Sequence, residues 1–154
     1  EPATDRLIRL TTTPFATEGQ PTWSPDGRQI AYVSDETRTP QIYAVDVATK
    51  AKRRLTSRGG QNVDPDWGPD NRICYITKRG GAQVAVMDAA KGDASAELVT
   101  EAGSWSHPSW SRDGRHLTAG RDKALFIVDT QEGGDKPRPM FYANGNWVSP
   151  CWAK

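Results

Sequence analysis

The sequence predicts an all-β chain built as a row of four-stranded antiparallel blades, a partial β-propeller. Three observations predict it. A tryptophan-bearing segment recurs at a near-constant interval, apolar runs follow each recurrence in a fixed order, and no segment of useful length carries helical periodicity.

The recurring segment reads Gln20-Pro21-Thr22-Trp23-Ser24-Pro25-Asp26-Gly27-Arg28, then Asp64-Pro65-Asp66-Trp67-Gly68-Pro69-Asp70-Asn71-Arg72, then His107-Pro108-Ser109-Trp110-Ser111-Arg112-Asp113-Gly114-Arg115. A shortened fourth copy is Ser149-Pro150-Cys151-Trp152. The tryptophans stand 44, 43 and 42 residues apart, the length of one propeller blade. A single domain over 1–154 follows, with repeats at roughly 12–56, 57–100 and 101–143 and a truncated start at 144–154.

The elements come in the same order each time. After the tryptophan turn stand Ile30-Ala31-Tyr32-Val33, Ile73-Cys74-Tyr75-Ile76 and the weaker Leu117-Thr118-Ala119-Gly120. A second run ends in aspartate: Ile42 to Asp46, Val84 to Asp88, Leu125 to Asp129. Arg53-Arg54-Leu55-Thr56 and Glu97-Leu98-Val99-Thr100 read as short closing strands. Runs apolar at adjacent positions suit strands covered on both faces, as a blade between two neighbours must be. Tyr32, Tyr43, Tyr75, Phe126 and the four repeated tryptophans are therefore expected in interblade packing.

The turn itself has a structural explanation. Ser24-Pro25-Asp26-Gly27 suits a type I turn, with serine first, proline fixing φ at the second place and glycine last. Asp26, Asp70 and Asp113 recur in every blade, so a task that every blade shares is expected of them rather than catalysis.

Composition narrows the function classes. With 36% apolar and 25% charged residues, no apolar run approaches the roughly 18 residues of a membrane span. A net charge of +1 gives no case for nucleic acid, and Lys52-Arg53-Arg54 reads as a solvated outer strand. Cys74 and Cys151 each lie in an apolar pattern, as small hydrophobes. The opening Glu-Pro-Ala-Thr has no signal-peptide pattern, so a leader is either removed or absent.

Pro-x-Trp-Ser-Pro-Asp-Gly-Arg, then Ile-Ala-Tyr-Val-Ser, Ile-Tyr-x-x-Asp and Arg-Leu-Thr, resembles the WD40-like repeat of TolB-type propellers, from Arg9-Leu10-Thr11 to Trp152. The second repeat departs from it at Gly68 and Asn71, the third at Arg112 and in its closing strand. The resemblance implies a six-bladed propeller, periplasmic or exported, and a peptidoglycan-associated (Pal-like) lipoprotein as protein partner. It also implies kinship with propeller domains of peptidases and polysaccharide lyases. The α/β domain that precedes the TolB propeller is not in this sequence.

Three blades cannot close a ring, and an open row exposes two apolar faces. Association of two copies about a twofold axis, a homodimer of about six blades, is the expected resolution; a longer propeller is the other. The spare stretch Arg6-Leu7-Ile8-Arg9-Leu10 is expected as an outer strand.

Candidate binding residues follow from the frame. The residue before Pro-x-Trp changes from blade to blade, Gln20, Asp64, His107 and Ser149, and is expected beside the central channel. Two places earlier stand Glu18, Asn62, Trp105 and Trp147, of which the two tryptophans are expected as exposed interface anchors. These six rim candidates, Gln20, Asp64, His107, Ser149, Trp105 and Trp147, point to a non-catalytic module that binds protein through the channel mouth and top loops. No Gly-x-Ser-x-Gly elbow or phosphate loop is present, and no cofactor is expected. The alternative is a propeller enzyme or a metal-dependent carbohydrate-binding, lyase-type protein, with His107, Asp64 and Gln20 around a channel metal.

Overall fold

The computed structural model describes residues 7–131 and 136–140. Three four-stranded antiparallel sheets account for them, each with its strands side by side in chain order. The first contains β1 (Glu18–Trp23), β2 (Gln29–Ser34), β3 (Gln41–Asp46) and β4 (Lys52–Arg54). The second contains β5 (Gln61–Trp67), β6 (Arg72–Lys78), β7 (Ala82–Asp88) and β8 (Glu97–Leu98). The third contains β9 (Ser106–Trp110), β10 (His116–Arg121), β11 (Ala124–Asp129) and β12 (Arg138–Pro139). A 3-10 turn, Gly92–Ser95, is the one helical segment among the described residues.

The sheets stack as blades because their middle strands are apolar on both faces. Ala31, Ile42, Ala44 and Leu55 of the first meet Trp67, Ile73, Tyr75, Ala85 and Met87 of the second. The opposite face of the second, Cys74, Ile76, Val84 and Val86, meets Trp110, Leu117, Ala119 and Val128 of the third. Each blade thus has a leading face toward the blade before it, which carries its tryptophan, and a trailing face toward the next. The innermost strands β1, β5 and β9 lie next to one another.

The tryptophan turns form as expected. Gly27 and Gly114 take φ of +67° and Asn71 takes +65°, the left-handed conformation such a hairpin requires. Asp26 and Asp113 accept hydrogen bonds from the hydroxyls of Ser24 and Ser111 and from backbone N–H groups of their own turns. The Ser24 and Ser111 hydroxyls, chief among these donors, hold both carboxyls below the usual carboxylate range. Gly68 replaces serine for a steric reason: a Cβ there would lie 2.8 Å from the Trp110 ring, against which the backbone packs.

Two expectations need correction. Residues 7–10 form no strand; an outer strand needs a neighbour to bond, and no strand precedes β1 among the described residues. Leu10 nevertheless packs on Tyr32, Tyr43 and Val45, the place that Leu55 takes on the second blade. Trp23 is not in interblade packing. It is 55% exposed, against 5% for Trp67 and 3% for Trp110, because no blade among the described residues lies opposite its leading face.

Candidate functional site

Every inner strand carries a proline, which cannot donate to a ladder and is tolerated at edges and bulges. The bulge is there. Register breaks between Gly19 and Thr22, between Val63 and Asp66, and at the matching place in the pairing of β9 with β10. The residue before each proline is left-handed: Gln20 at φ 54°, Asp64 at 54° and His107 at 48°. This conformation costs a non-glycine residue about 1 kcal/mol or more, and Asp and His are among the types that tolerate it.

The bulge turns these side chains along the rim, from one blade to the next. Gln20 Oε1 accepts the backbone N–H of Asp64 at 3.0 Å, and Gln20 Nε2 donates to Asp64 Oδ1. Asp64 Oδ2 in turn accepts the backbone N–H of His107 at 3.2 Å. Three of the sequence-derived candidates are therefore brought together as one hydrogen-bonded arc. Gln20 and His107 are exposed and Asp64 half-buried. Ser149 and Trp147 lie outside the described residues.

A second arc runs parallel to it, one step inside the proline, on residues that sequence reasoning passed over. Thr22 Oγ1 accepts the backbone N–H of Trp67 at 3.2 Å and lies 3.3 Å from Asp66 Oδ1. Asp66 Oδ2 accepts the backbone N–H of Trp110 at 2.8 Å and the Ser109 hydroxyl at 3.1 Å. The signal was present in Pro-x-Trp, whose middle residue is Thr22, Asp66 or Ser109, in each case a short side chain with an acceptor oxygen.

The position two residues before each rim residue does something else. Thr11 and Thr13 hydroxyls donate to Glu18, Asn62 Nδ2 donates to the Arg58 carbonyl at 2.9 Å, and Trp105 Nε1 donates to the Glu101 carbonyl at 3.0 Å. Each side chain pins the connection that enters its own blade. Trp105 is accordingly no exposed anchor. It is 3% exposed, edge-on to Phe126 at 5.3 Å between centroids, with the Arg121 guanidinium 5.1 Å above its ring. An indole preceding a blade lies in the seam with its neighbour, where the interior claims it.

Asp64 Oδ1 accepts from Gln20 Nε2 and Oδ2 from the backbone N–H of His107, so both oxygens take part in rungs between blades. Among the described residues, no group of three or more His, Cys, Asp or Glu is gathered as a metal set. At the far ends of the inner strands a cavity of about 350 Å³ opens between the turns, lined by Trp23, Pro25, Trp67, Pro69, Trp110 and Arg112. No helix among the described residues is long and apolar enough to cross a membrane.

The repeated blade geometry has a counterpart in known proteins. The family model of the TolB beta propeller domain matches residues 3–154. The chain belongs to this family. An uncharacterized Agrobacterium fabrum protein is 30% identical over 121 residues, 77% of this chain and 38% of the relative. The Tol-Pal system protein TolB of Alcanivorax borkumensis is 48% identical over 58 residues, 37% of this chain and 13% of the relative. The chain thus spans well under half the length of these two relatives.

Solved structures agree on the fold. A provisionally named TolB from Agrobacterium tumefaciens superposes with a TM-score of 0.75 at 21% identity, covering 93% of this chain and 56% of that one. An oligogalacturonate lyase in complex with manganese superposes with a TM-score of 0.67 at 20% identity, covering 84% of this chain and 39% of that one. The fold is therefore shared by TolB proteins and by an enzyme, and the family alone does not assign a reaction.

Proposed function

We propose that this TolB-like propeller is a non-catalytic scaffold that binds a protein at the rim of its central channel, in a periplasmic or exported setting. The observation that carries this reading is the arc from Gln20 through Asp64 to His107. Its backbone positions are equivalent, its side chains differ, and hydrogen bonds from blade to blade hold them in place. A fixed frame with variable polar groups is suited to recognising one surface among many. The Tol-Pal naming of the TolB relatives makes a peptidoglycan-associated lipoprotein the first partner to test.

The test is titration of such a purified lipoprotein into the chain, followed by calorimetry. His107→Ala, at the exposed end of the arc, is expected to weaken binding by about tenfold or more while leaving the unfolding midpoint in place. Absence of binding, or binding indifferent to His107, refutes the reading.

A second reading, a metal-dependent carbohydrate-binding or lyase-type protein, draws on the shared fold with the manganese-bound lyase and on His107 standing exposed at the rim. Equilibrium dialysis against manganese, with and without acidic oligosaccharides, separates the two. Stoichiometric uptake lost in His107→Ala would replace the first reading with the second.

A further inference from the structure

The end of the blades that carries the rim also carries the hairpins joining the second strand of each blade to the third. Glu18 pairs with Ser34, Gln61 with Lys78 and Ser106 with Gly120, so each hairpin rises beside the start of an inner strand. An exposed cation stands in each: Arg38, Arg79 and Lys123. Among the described residues none of the three is in an ion pair. The acids of the same hairpins are engaged within the molecule. Asp35 accepts the Thr17 N–H at 2.7 Å, Glu36 pairs with Lys52, and Asp122 accepts the Ser104 hydroxyl and pairs with Arg121. The loops that enter the blades add Arg58 and Glu101, of opposite sign. The turns themselves do not call for the cations. Arg38 takes φ of +74° and Lys123 of +66°, left-handed positions that glycine adopts without strain.

Beside Arg38 stands an aromatic with no part in the interior. Phe15 is fully exposed, in a turn closed by the Ala16 N–H on the Thr13 carbonyl. Its loop is held on both sides, by the Thr11 and Thr13 hydroxyls on Glu18 and by the Thr17 N–H on Asp35. Between loop and hairpin opens a cavity of about 460 Å³, lined by Thr13, Phe15, Asp35, Glu36 and Arg38. The exposure does not depend on what precedes the first blade. Gly59 and Ala102 hold the place of Phe15, five residues before the rim residue. Each has a blade before it, and both are exposed, although Gly81 of the preceding hairpin comes close to Ala102.

We propose that this end of the propeller is a docking surface for an acidic, partly apolar segment of a protein. An aliphatic or aromatic side chain of the segment packs on Phe15 in the cavity beside Arg38, and carboxylates along it pair with Arg38, Arg79 and Lys123. An exposed aromatic held rigid among cations is suited to such a segment, whereas a polyphosphate or a sulfated glycan has no apolar group to place on it. This rests on the reading of the rim as a protein-binding site and gives the partner its chemistry.

Fluorescence anisotropy tests it on the 154-residue chain with three labelled peptides of equal length. The first carries Glu and Leu in a Gly-Ser background, the second has Lys in place of Glu, and the third has Ser in place of Leu. The first is expected to bind about tenfold tighter than either of the others and to weaken as salt is raised. Arg38→Gly and Lys123→Gly are each expected to weaken it several-fold while leaving the unfolding midpoint close to that of wild type. Phe15→Ser is expected to erase the preference for Leu over Ser. No binding of the first peptide in the millimolar range, equal binding of all three, or binding indifferent to these substitutions overturns the inference. Tighter binding of heparin, untouched by Phe15→Ser, overturns it in favour of an anionic polymer. Lipoprotein titration then separates the two proposals. Binding lost in His107→Ala and kept in Phe15→Ser and Arg38→Gly sinks the docking surface and spares the rim, while the opposite pattern does the reverse.

Discussion

The carboxylate of Asp66 holds the backbone N–H of Trp110 at 2.8 Å, across the seam between the second and third blades. The same oxygen accepts the Ser109 hydroxyl, and the other lies near Thr22 on the first blade. One side chain thus ties three blades together. Hydrogen bonds to a charged acceptor contribute about 1.5–3 kcal/mol, so Asp66→Ala is expected to lower the free energy of unfolding by about 2–3 kcal/mol. Asp66→Asn, which keeps an accepting oxygen, should lose less. Urea denaturation measures both, and an alanine variant within about 0.5 kcal/mol of wild type contradicts the account.

Gly68 has no room for a side chain. Its virtual Cβ falls 2.8–2.9 Å from three atoms of the buried Trp110 ring, itself held beneath the Arg72 guanidinium at 4.7 Å. Gly68→Ala is expected to cost about 1–3 kcal/mol through overpacking and to disturb the near-ultraviolet signal of Trp110. A neutral or stabilising outcome by thermal denaturation would show that the indole yields freely.

Two tryptophans of one sequence should behave oppositely. Trp105→Ala empties a buried place beside Phe126 and is expected to cost about 3–5 kcal/mol. Trp23→Ala removes an indole that is more than half exposed, and it should cost less than about 1 kcal/mol. Urea denaturation makes the comparison, and equal costs would refute the assignment of one to the core and one to an open face.

Acid should weaken the third blade. The Arg115 guanidinium, the chief cause, holds Asp129 down to about 2, with an Nη2 to Oδ2 distance of 2.7 Å. Asp113 is pulled lower still, chiefly by the Ser111 hydroxyl. A carboxyl held below its unfolded value of 3.8 stabilises the fold above that pH and loses this contribution as pH falls through the folded value. The urea midpoint is thus expected to decline between about pH 4 and about pH 2, and Asp129→Asn should flatten part of that decline. An unchanged slope in the variant would assign the acid sensitivity elsewhere.

The strands were legible because the pattern that encodes them is local. Ile30 to Val33, Ile73 to Ile76 and the aspartate-ended runs fall inside β2, β6, β3, β7 and β11, and the turn residues predicted their own left-handed positions. The equivalence of Gln20, Asp64 and His107 was legible as well, since a constant frame marks the variable place beside it. What failed depended on neighbours. Trp23 and Trp67 occupy the same frame, and only the presence or absence of a facing blade separates them. Trp105 precedes its strand by one residue, and nothing local reveals that the seam with the second blade swallows it. Residues 7–10 carry a strand-like pattern but find no partner ladder among the described residues.

Each of the two arcs joins side chains of one blade to main-chain N–H groups of the next, and Gln20 Nε2 also donates to the carboxylate of Asp64, whose N–H its Oε1 accepts. That main-chain donor is on offer whatever residue other than proline stands there. A duplicated blade inserted between two others would find every amide already where its threonine or aspartate reaches. The circumference of such a ring can grow by copying one stretch of gene, and the lettering around its mouth can drift without loosening the stitches.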